Sequence, residues 1–253
     1  MIDSPKLSLV LPMYNEEDNA RQVALELQTE LTREGINHEL VLVDNGSTDH
    51  TGQILARLAH ENHAIKVVRV PVNQGYGWGI INGLRWANGD YLGFMGGDGQ
   101  IKPPDVIKVF RKLVDGEYQI CKVTRYRRED GVTRRIVSLI FNKLFVYTFK
   151  VNVGDINGSP KIMTRQFYQK LNLSCKDWFL DAEVMLKAVA LGASIGEVPV
   201  VFNPRLGGSS NVKIGTVCEF LRNMSTYRRK GVWHESGAVM WREGDTAQGG
   251  NRL

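Results

Sequence analysis

The sequence is poor in the features that fix a function at a glance. Cysteine is scarce: Cys121, Cys175 and Cys218 are the only three in 253 residues. They are far apart, so no metal-ligand spacing forms. An odd count also argues against a disulfide framework, and a reduced, cytosolic setting is expected. No GxxxxGK[ST] segment occurs, which argues against a P-loop NTPase. No uninterrupted apolar run reaches the roughly 18 residues of a membrane span. Residues 1–6 (MIDSPK) carry no apolar signal core. A cytoplasmic chain, soluble or peripheral at the cytoplasmic face of a membrane, is therefore expected. There is no internal repeat and no second core. Charge bias is small: 32 basic against 27 acidic residues leave a formal +5. That excess suits an anionic ligand or surface without choosing among them.

What is present is an ordinary globular composition, 43% hydrophobic and 23% charged, with a clear alternation of elements. Residues 7–12 (LSLVLP) read as a strand buried on both faces. Residues 16–33 follow with helical spacing at Ala20, Val23, Ala24, Leu27 and Leu31. Residues 39–43, 65–70, 91–95 and 118–123 read as further strands. Helices are expected from Asp49, over 77–88, and from Pro103-Pro104, where proline suits the first turn. Such alternation predicts an α/β fold with a mostly parallel sheet flanked by helices. Beyond Val123 the pattern changes. Residues 125–135 (RYRREDGVTRR) read as a basic loop, and 136–149 as a dense apolar stretch. Residues 159–163 and 194–201 read as strands, and 179–190 and 213–228 as helices. The polar tail 231–253 is expected to be flexible, beyond one domain covering 1–230.

Ligands of parallel sheets bind beyond the carboxyl ends of the strands, and four polar clusters fall there. In Gly96-Gly97-Asp98-Gly99-Gln100 the glycines allow a tight turn. Asp98 offers hard oxygen ligands for Mg²⁺ or Mn²⁺ bound with a diphosphate, and Gln100 a carbonyl oxygen. The same residues equally describe a turn whose backbone is stabilised by an aspartate. Asp44 ends the second strand, where a buried carboxylate needs a partner such as a ribose hydroxyl or a base N–H. Asp49 reads as a helix cap. Pro12-Met13-Tyr14-Asn15-Glu16 can wrap a base, with Tyr14 on a ring face and Asn15 and Glu16 as hydrogen-bonding groups. Capping by Asn15 is the alternative. Asn73-Gln74-Gly75-Tyr76-Gly77-Trp78-Gly79 has GxGxG spacing but lacks the final interval and follows the third strand, so a dinucleotide site is rejected.

Taken together, LSLVLPMYNEEDN, ELVLVDNGSTDHT, NQGYGWGIINGLRWANGDYLGFM and GGDGQIKPPDV resemble glycosyltransferase family 2. Within it, the sequence over 6–230 is most similar to the polyprenyl-phosphate sugar synthases, such as the dolichyl-phosphate mannose and glucose synthases. The resemblance implies a GT-A fold and an inverting hexosyltransferase with a UDP- or GDP-sugar donor. Pro12, Tyr14, Glu16, Asp44, Asn73, Gly75 and Asp98 would bind the donor nucleotide. Asp98 and Gln100 would hold the divalent cation (Mg²⁺ or Mn²⁺). Gly96 stands where the family's Asp-x-Asp-x-Gln pattern begins with aspartate, which removes one anionic group. Arg125, Arg134, Ser138 and Arg205 match positions that hold an acceptor phosphate, work that suits the planar guanidinium. Their alternative is an exposed basic loop. Residues 136–149 would serve a lipid acceptor at a membrane surface, or form a core helix.

Asp98 and Asp181 are the candidate catalytic residues. Asp181 and Glu183 lie where family members place acceptor-site carboxylates, and Asp155 is a further acceptor-loop candidate. With a glycan or lipopolysaccharide hydroxyl as acceptor, Asp181 would be a general base. With a polyprenyl phosphate, already an anion, it would balance the arginines. A non-catalytic nucleotide-sugar binder is a third reading, motivated by Gly96. Nucleic acid is not an expected partner.

Overall fold

The computed structural model describes residues 6–128, 132–151, 153–205 and 214–230. The tail 231–253 lies outside them, as do the side chains of 128, 132–138, 214–218 and 230. The chain folds as β1 (Leu7–Met13), α1 (Ala20–Arg33), β2 (His38–Asp44), α2 (Thr51–Glu61), β3 (Ile65–Arg69), α3 (Tyr76–Trp86), β4 (Tyr91–Phe94) and α4 (Pro103–Asp115). It continues as β5 (Ile120–Arg128), α5 (Val132–Phe149), β6 (Lys161–Thr164), α6 (Arg165–Leu171), α7 (Leu180–Ala190), β7 (Ile195–Phe202) and α8 (Ile214–Lys230).

The seven strands form one sheet in the order β3-β2-β1-β4-β6-β5-β7. The pairs β1–β2, β1–β4, β2–β3 and β5–β7 are parallel, while β6 runs antiparallel to both β4 and β5. Successive side chains of a strand point to opposite faces, and the core divides accordingly. Leu7, Leu9 and Leu11 pack with Val23, Leu27, Leu55 and Phe110 from α1, α2 and α4. Val10 packs with Ile80, Leu84, Phe179 and Phe220 from the opposite layer. Burial on both faces is why the first strands read as continuous apolar runs.

Three sequence expectations are corrected. Residues 125–135 do not form a single loop. Strand β5 continues through Arg128, paired with β7 as far as Phe202, with a register shift between Arg125 and Arg127. A basic strand end sits comfortably where its side chains reach solvent, as Tyr126 and Arg127 do. Helix α5 then starts at Val132, four residues ahead of the apolar stretch. Short helix α6 was not anticipated. Thr164 caps it by accepting from Phe167 N at 3.2 Å, and Asn172 ends it in the left-handed region.

Candidate active site

The carboxyl ends of β1, β2, β3 and β4 carry the donor-side candidates. Pro12 is buried within β1, Tyr14 is half-buried after it, and Asn73 is exposed beyond β3. Two loops are sewn together. Asn15 Oδ1 accepts from Thr48 N at 2.8 Å, Ser47 Oγ from Asn15 N at 3.2 Å, and Thr51 Oγ1 from Glu16 N at 2.8 Å. Asn15 therefore ties the β1 loop to the β2 loop and does not cap α1, whose N-cap residue is Asn19. Asp49 does not occupy the N-cap position of α2, which is His50. It supports the helix start by accepting from Thr51 N at 2.9 Å.

Asp44 is buried, and its partner within the chain is the backbone of its own loop: Oδ1 accepts from Ser47 N at 2.9 Å. Its other oxygen faces the first turn of α2. A Cβ at Gly52 would lie 2.6 Å from it, so a larger residue there would push the carboxylate aside. Gly75 adopts φ +115°, and a Cβ would lie 2.4 Å from Lys176 O. Asn73 Oδ1 fixes this bend by accepting from Gly75 N at 2.8 Å.

Glu16 and Asp98 converge on one cation. Arg205 donates to Glu16 Oε1 through one nitrogen and reaches Asp98 Oδ2 at 3.4 Å through the other. Burial raises the Glu16 pKa from its ordinary value, and bonds from Asn19 and Arg205 oppose that shift. Arg205, expected on the acceptor phosphate, thus stands at the donor-side carboxylates. Asp98 Oδ1 also accepts from Gln100 N at 3.2 Å. Gln100 is buried, and its Nε2 donates to Asn203 O at 2.9 Å. That bond clamps the Asp98 turn to the end of β7.

Asp98 presents a part-exposed carboxylate with Arg205 beside it. Among the described residues no three His, Cys, Asp or Glu side chains gather into a metal cage. One carboxylate suits a Mg²⁺-like ion that takes most of its remaining ligands from substrate phosphate and water. The residues therefore fit a cation that arrives with a diphosphate.

The acceptor-side candidates enclose a buried charge network. Asp155 accepts from Arg125 Nε at 2.7 Å, from its NH2 at 2.5 Å and from its backbone N at 2.8 Å. Both side chains are nearly enclosed. Burial pushes the Asp155 carboxyl up, but the bonds and charge of Arg125 outweigh it and hold it below its ordinary value. Asp181 is buried and bonded to Lys161 Nζ, which also donates to Gly158 O at 2.9 Å. Burial raises Asp181 and lowers Lys161, with their mutual attraction opposing both shifts. Asp181 thus balances a lysine, where an arginine was expected. Fully buried Lys122 donates to Gly154 O at 2.6 Å and pairs with Glu197 at 2.9 Å.

Glu183 faces elsewhere. It accepts from Ser174 Oγ at 2.9 Å, Cys175 N at 2.8 Å and Tyr227 OH at 2.8 Å, anchoring α8 to α7. Arg134 and Ser138 belong to α5, with side chains outside the described residues. The two buried lysines were not singled out from the sequence. Each is flanked by apolar residues, Cys121 and Val123 in one case and Pro160 and Ile162 in the other, a pattern that does not by itself separate a buried lysine from a solvated one.

The Arg125–Asp155 pair predicts an acid-side dependence. A depressed folded-state pKa contributes stability that is present above the unfolded value, about 4, and lost as pH falls through the folded value. Asp155→Asn is expected to cost about 3 kcal/mol or more near neutrality, because Arg125 stays buried without its anion. The gap to the unaltered protein should narrow on acidification. Urea unfolding between pH 7 and 3 checks this; a gap independent of pH would contradict it.

A wound sheet with acidic side chains gathered beyond the carboxyl ends of its strands has the architecture of a GT-A glycosyltransferase. The Glycosyl transferase family 2 model matches residues 8–172. The chain belongs to glycosyltransferase family 2, and its activity is glycosyl transfer. An undecaprenyl-phosphate 4-deoxy-4-formamido-L-arabinose transferase of Klebsiella pneumoniae is 26% identical over 87% of this chain and 67% of its own length. Its counterpart in Photorhabdus laumondii is 32% identical over 68% of this chain and 53% of its own. The chain thus spans between half and two thirds of these relatives. Among solved structures, the glucosyl-3-phosphoglycerate synthase of Mycobacterium tuberculosis with Mn²⁺, UDP and phosphoglyceric acid superposes with TM-score 0.69 at 20% identity. That match covers 90% of this chain and 79% of the other. A mannosyltransferase of Pyrobaculum calidifontis with GDP-Man and Mn²⁺ gives TM-score 0.58 at 17% identity, over 90% and 70%. These likenesses establish the fold.

Proposed function

We propose that the protein transfers a sugar, with inversion, from a nucleoside-diphosphate sugar to a polyprenyl phosphate. The observation that carries the acceptor is the run from β5 into α5. The strand ends in Arg127 and Arg128, and the helix that follows exposes Leu139, Ile140, Leu144 and Tyr147, the last 81% accessible. A basic strand end beside an exposed apolar helix face matches a phosphate joined to a hydrocarbon chain. No helix among the described residues is long and apolar enough to cross a membrane, so contact at the membrane surface is the geometry proposed. The Klebsiella and Photorhabdus relatives, named for undecaprenyl phosphate, support the same acceptor class.

Pro12, Tyr14, Glu16, Asp44, Asn73 and Gly75 bind the nucleotide in this reading. Asp98 would hold a divalent cation, with the Gln100 amide bonded into the turn behind it. When bound, such a cation neutralises the leaving diphosphate. An acceptor phosphate oxygen attacks the anomeric carbon as the bond to the diphosphate breaks, and the nucleoside diphosphate leaves with the electron pair. No base is needed, because the nucleophile is already an anion. Asp181, bonded to Lys161, is poorly placed to take a proton from a sugar hydroxyl. Arg134 and Ser138 on α5 are proposed to hold the acceptor phosphate. Arg125 shapes that loop through Asp155, and Arg205 offers its charge from the donor side. In this reading residues 1–230 form the catalytic domain.

The test begins with thermal shift against UDP- and GDP-sugars with Mn²⁺ or Mg²⁺, since a ligand that binds the native state raises its stability. The responsive donor is then offered with undecaprenyl phosphate in vesicles. Arg134→Ala is expected to lower transfer by about tenfold or more, the scale of one charge-assisted phosphate contact. Asp181→Asn should change it far less. A dominant Asp181 effect would favour a hydroxyl acceptor, and donor binding without transfer to any acceptor would favour a binding protein.

A further inference from the structure

The two carboxylates that meet Arg205 hold it unequally. Glu16 is fixed in place: its backbone N donates to Thr51 Oγ1, its Oε2 accepts from Asn19 Nδ2 at 2.7 Å and its Oε1 takes the Arg205 bond. Asp98 lies in a part-exposed turn, and its Oδ2 stands 3.4 Å from the other guanidinium nitrogen. Glu16 is thus the anchor, and Asp98 is the side that can let go.

The approach of Arg205 is built into the chain. Asn203 N and Nδ2 each donate to Gln100 O at 3.1 Å, and Gln100 Nε2 donates back to Asn203 O at 2.9 Å. Gln100 N also donates to Asp98 Oδ1 at 3.2 Å. Pro204 follows Asn203, its φ fixed by the ring, and Arg205 comes next. A closed ring of bonds therefore carries the guanidinium to the turn. The chain itself engages both oxygens of Asp98, one through Gln100 and one through Arg205.

Gly96 sharpens the effect. A Cβ there would lie 3.6 Å from Asp98 Oδ1, an ordinary contact, so the turn has room for a second side chain beside Asp98 but carries none. A divalent cation of the Mg²⁺ kind binds about 2 Å from a carboxylate oxygen. On Asp98 it meets an anion already shared with a guanidinium, and two cations on one carboxylate repel. A nucleoside diphosphate changes the balance, because its own negative charge offsets both cations.

We propose that Arg205 is an internal counter-ion that closes the Asp98 turn to a free divalent cation, so that the ion binds tightly only together with a diphosphate. The proposal rests on the nucleotide-sugar reading and adds how that donor site is controlled. Ion and diphosphate must then raise each other's affinity by the same factor, and Arg205 sets part of it.

Mn²⁺ titration followed by the free-ion signal in electron paramagnetic resonance tests this without turnover. In the nucleotide-free protein, Arg205→Met is expected to raise Mn²⁺ affinity by about tenfold, within the usual range of coupling between two ligands. Arg205→Lys keeps the charge and leaves Glu16 a counter-ion, but a single ammonium lacks the fork that spans both carboxylates. It should raise the affinity by a smaller factor, about threefold. Adding Asp98→Ala to Arg205→Met should abolish the gain. With UDP or GDP, whichever binds, both single variants should gain less Mn²⁺ affinity from the nucleotide than the unaltered protein does. Unchanged or weaker nucleotide-free binding in Arg205→Met overturns the proposal. A gain confined to Arg205→Met and absent in Arg205→Lys marks a general charge effect and overturns it too, as does a gain that survives Asp98→Ala. If neither nucleotide binds, the donor reading falls, whereas the nucleotide-free titrations still decide whether Arg205 blocks the ion.

Discussion

Asp98→Ala is expected to lower sugar transfer by about two to three orders of magnitude, the cost of losing one preorganised electrostatic element at a leaving group. The fold should survive. The carboxylate is part-exposed in a turn, accepts from Gln100 N at 3.2 Å and approaches Arg205 at 3.4 Å. Glu16 retains Arg205, so no buried cation is stranded. The melting temperature should therefore move little. Binding of the nucleoside diphosphate should lose its dependence on Mn²⁺ or Mg²⁺, which calorimetry with and without the ion resolves. Unchanged turnover would sink the assignment of Asp98 to the donor phosphates. Gly96 makes this variant informative, because no second aspartate in that turn stands ready to take over.

Lys161→Met has the largest expected effect on stability. Lys161 is fully buried, and it neutralises Asp181 and satisfies the Gly158 carbonyl. Methionine fills similar space but leaves an enclosed carboxylate without its bonded counter-charge. Breaking a buried pair from one side costs about 3–5 kcal/mol, a large share of the roughly 5–15 kcal/mol that holds a domain together. Adding Asp181→Asn to Lys161→Met should recover most of the loss, because the stranded charge is gone. Urea unfolding of the two single variants and the double variant measures the coupling. A strictly additive double variant would show that the pair contributes nothing as a pair.

The donor half was largely legible in the sequence, for a physical reason. Strands buried on both faces must be largely apolar, and residues 7–12, 39–43 and 91–95 read as strands for that reason. The polar residues that follow each strand then fall at one edge of the sheet by topology alone. Asp44, Glu16 and Asp98 were found by that logic. The second half was less legible. Strand β6 is four residues long and begins with a lysine that is fully buried. Nothing local distinguishes such a lysine from a solvated one. Its partner lies 20 residues away, and the acidic partners of Arg125 and Lys122, Asp155 and Glu197, lie 30 and 75 residues from them by sequence number. Arg205 meets Glu16 across 189 positions. Pairings of this kind are set by the assembled sheet, and no periodicity foreshadows them.

The reversed direction of β6 carries one more consequence. A parallel strand brings only its trailing loop to the edge where ligands sit. Because β6 points the other way, the loop that precedes it, residues 154–160, arrives at that edge beside the turn that follows β4. The strands and loops around Glu16, Asp44 and Asn73 can then stay constant while the loop before β6 and the helices flanking it diverge. Lineages built on this sheet can inherit the nucleotide half unchanged and exchange recipients one loop at a time.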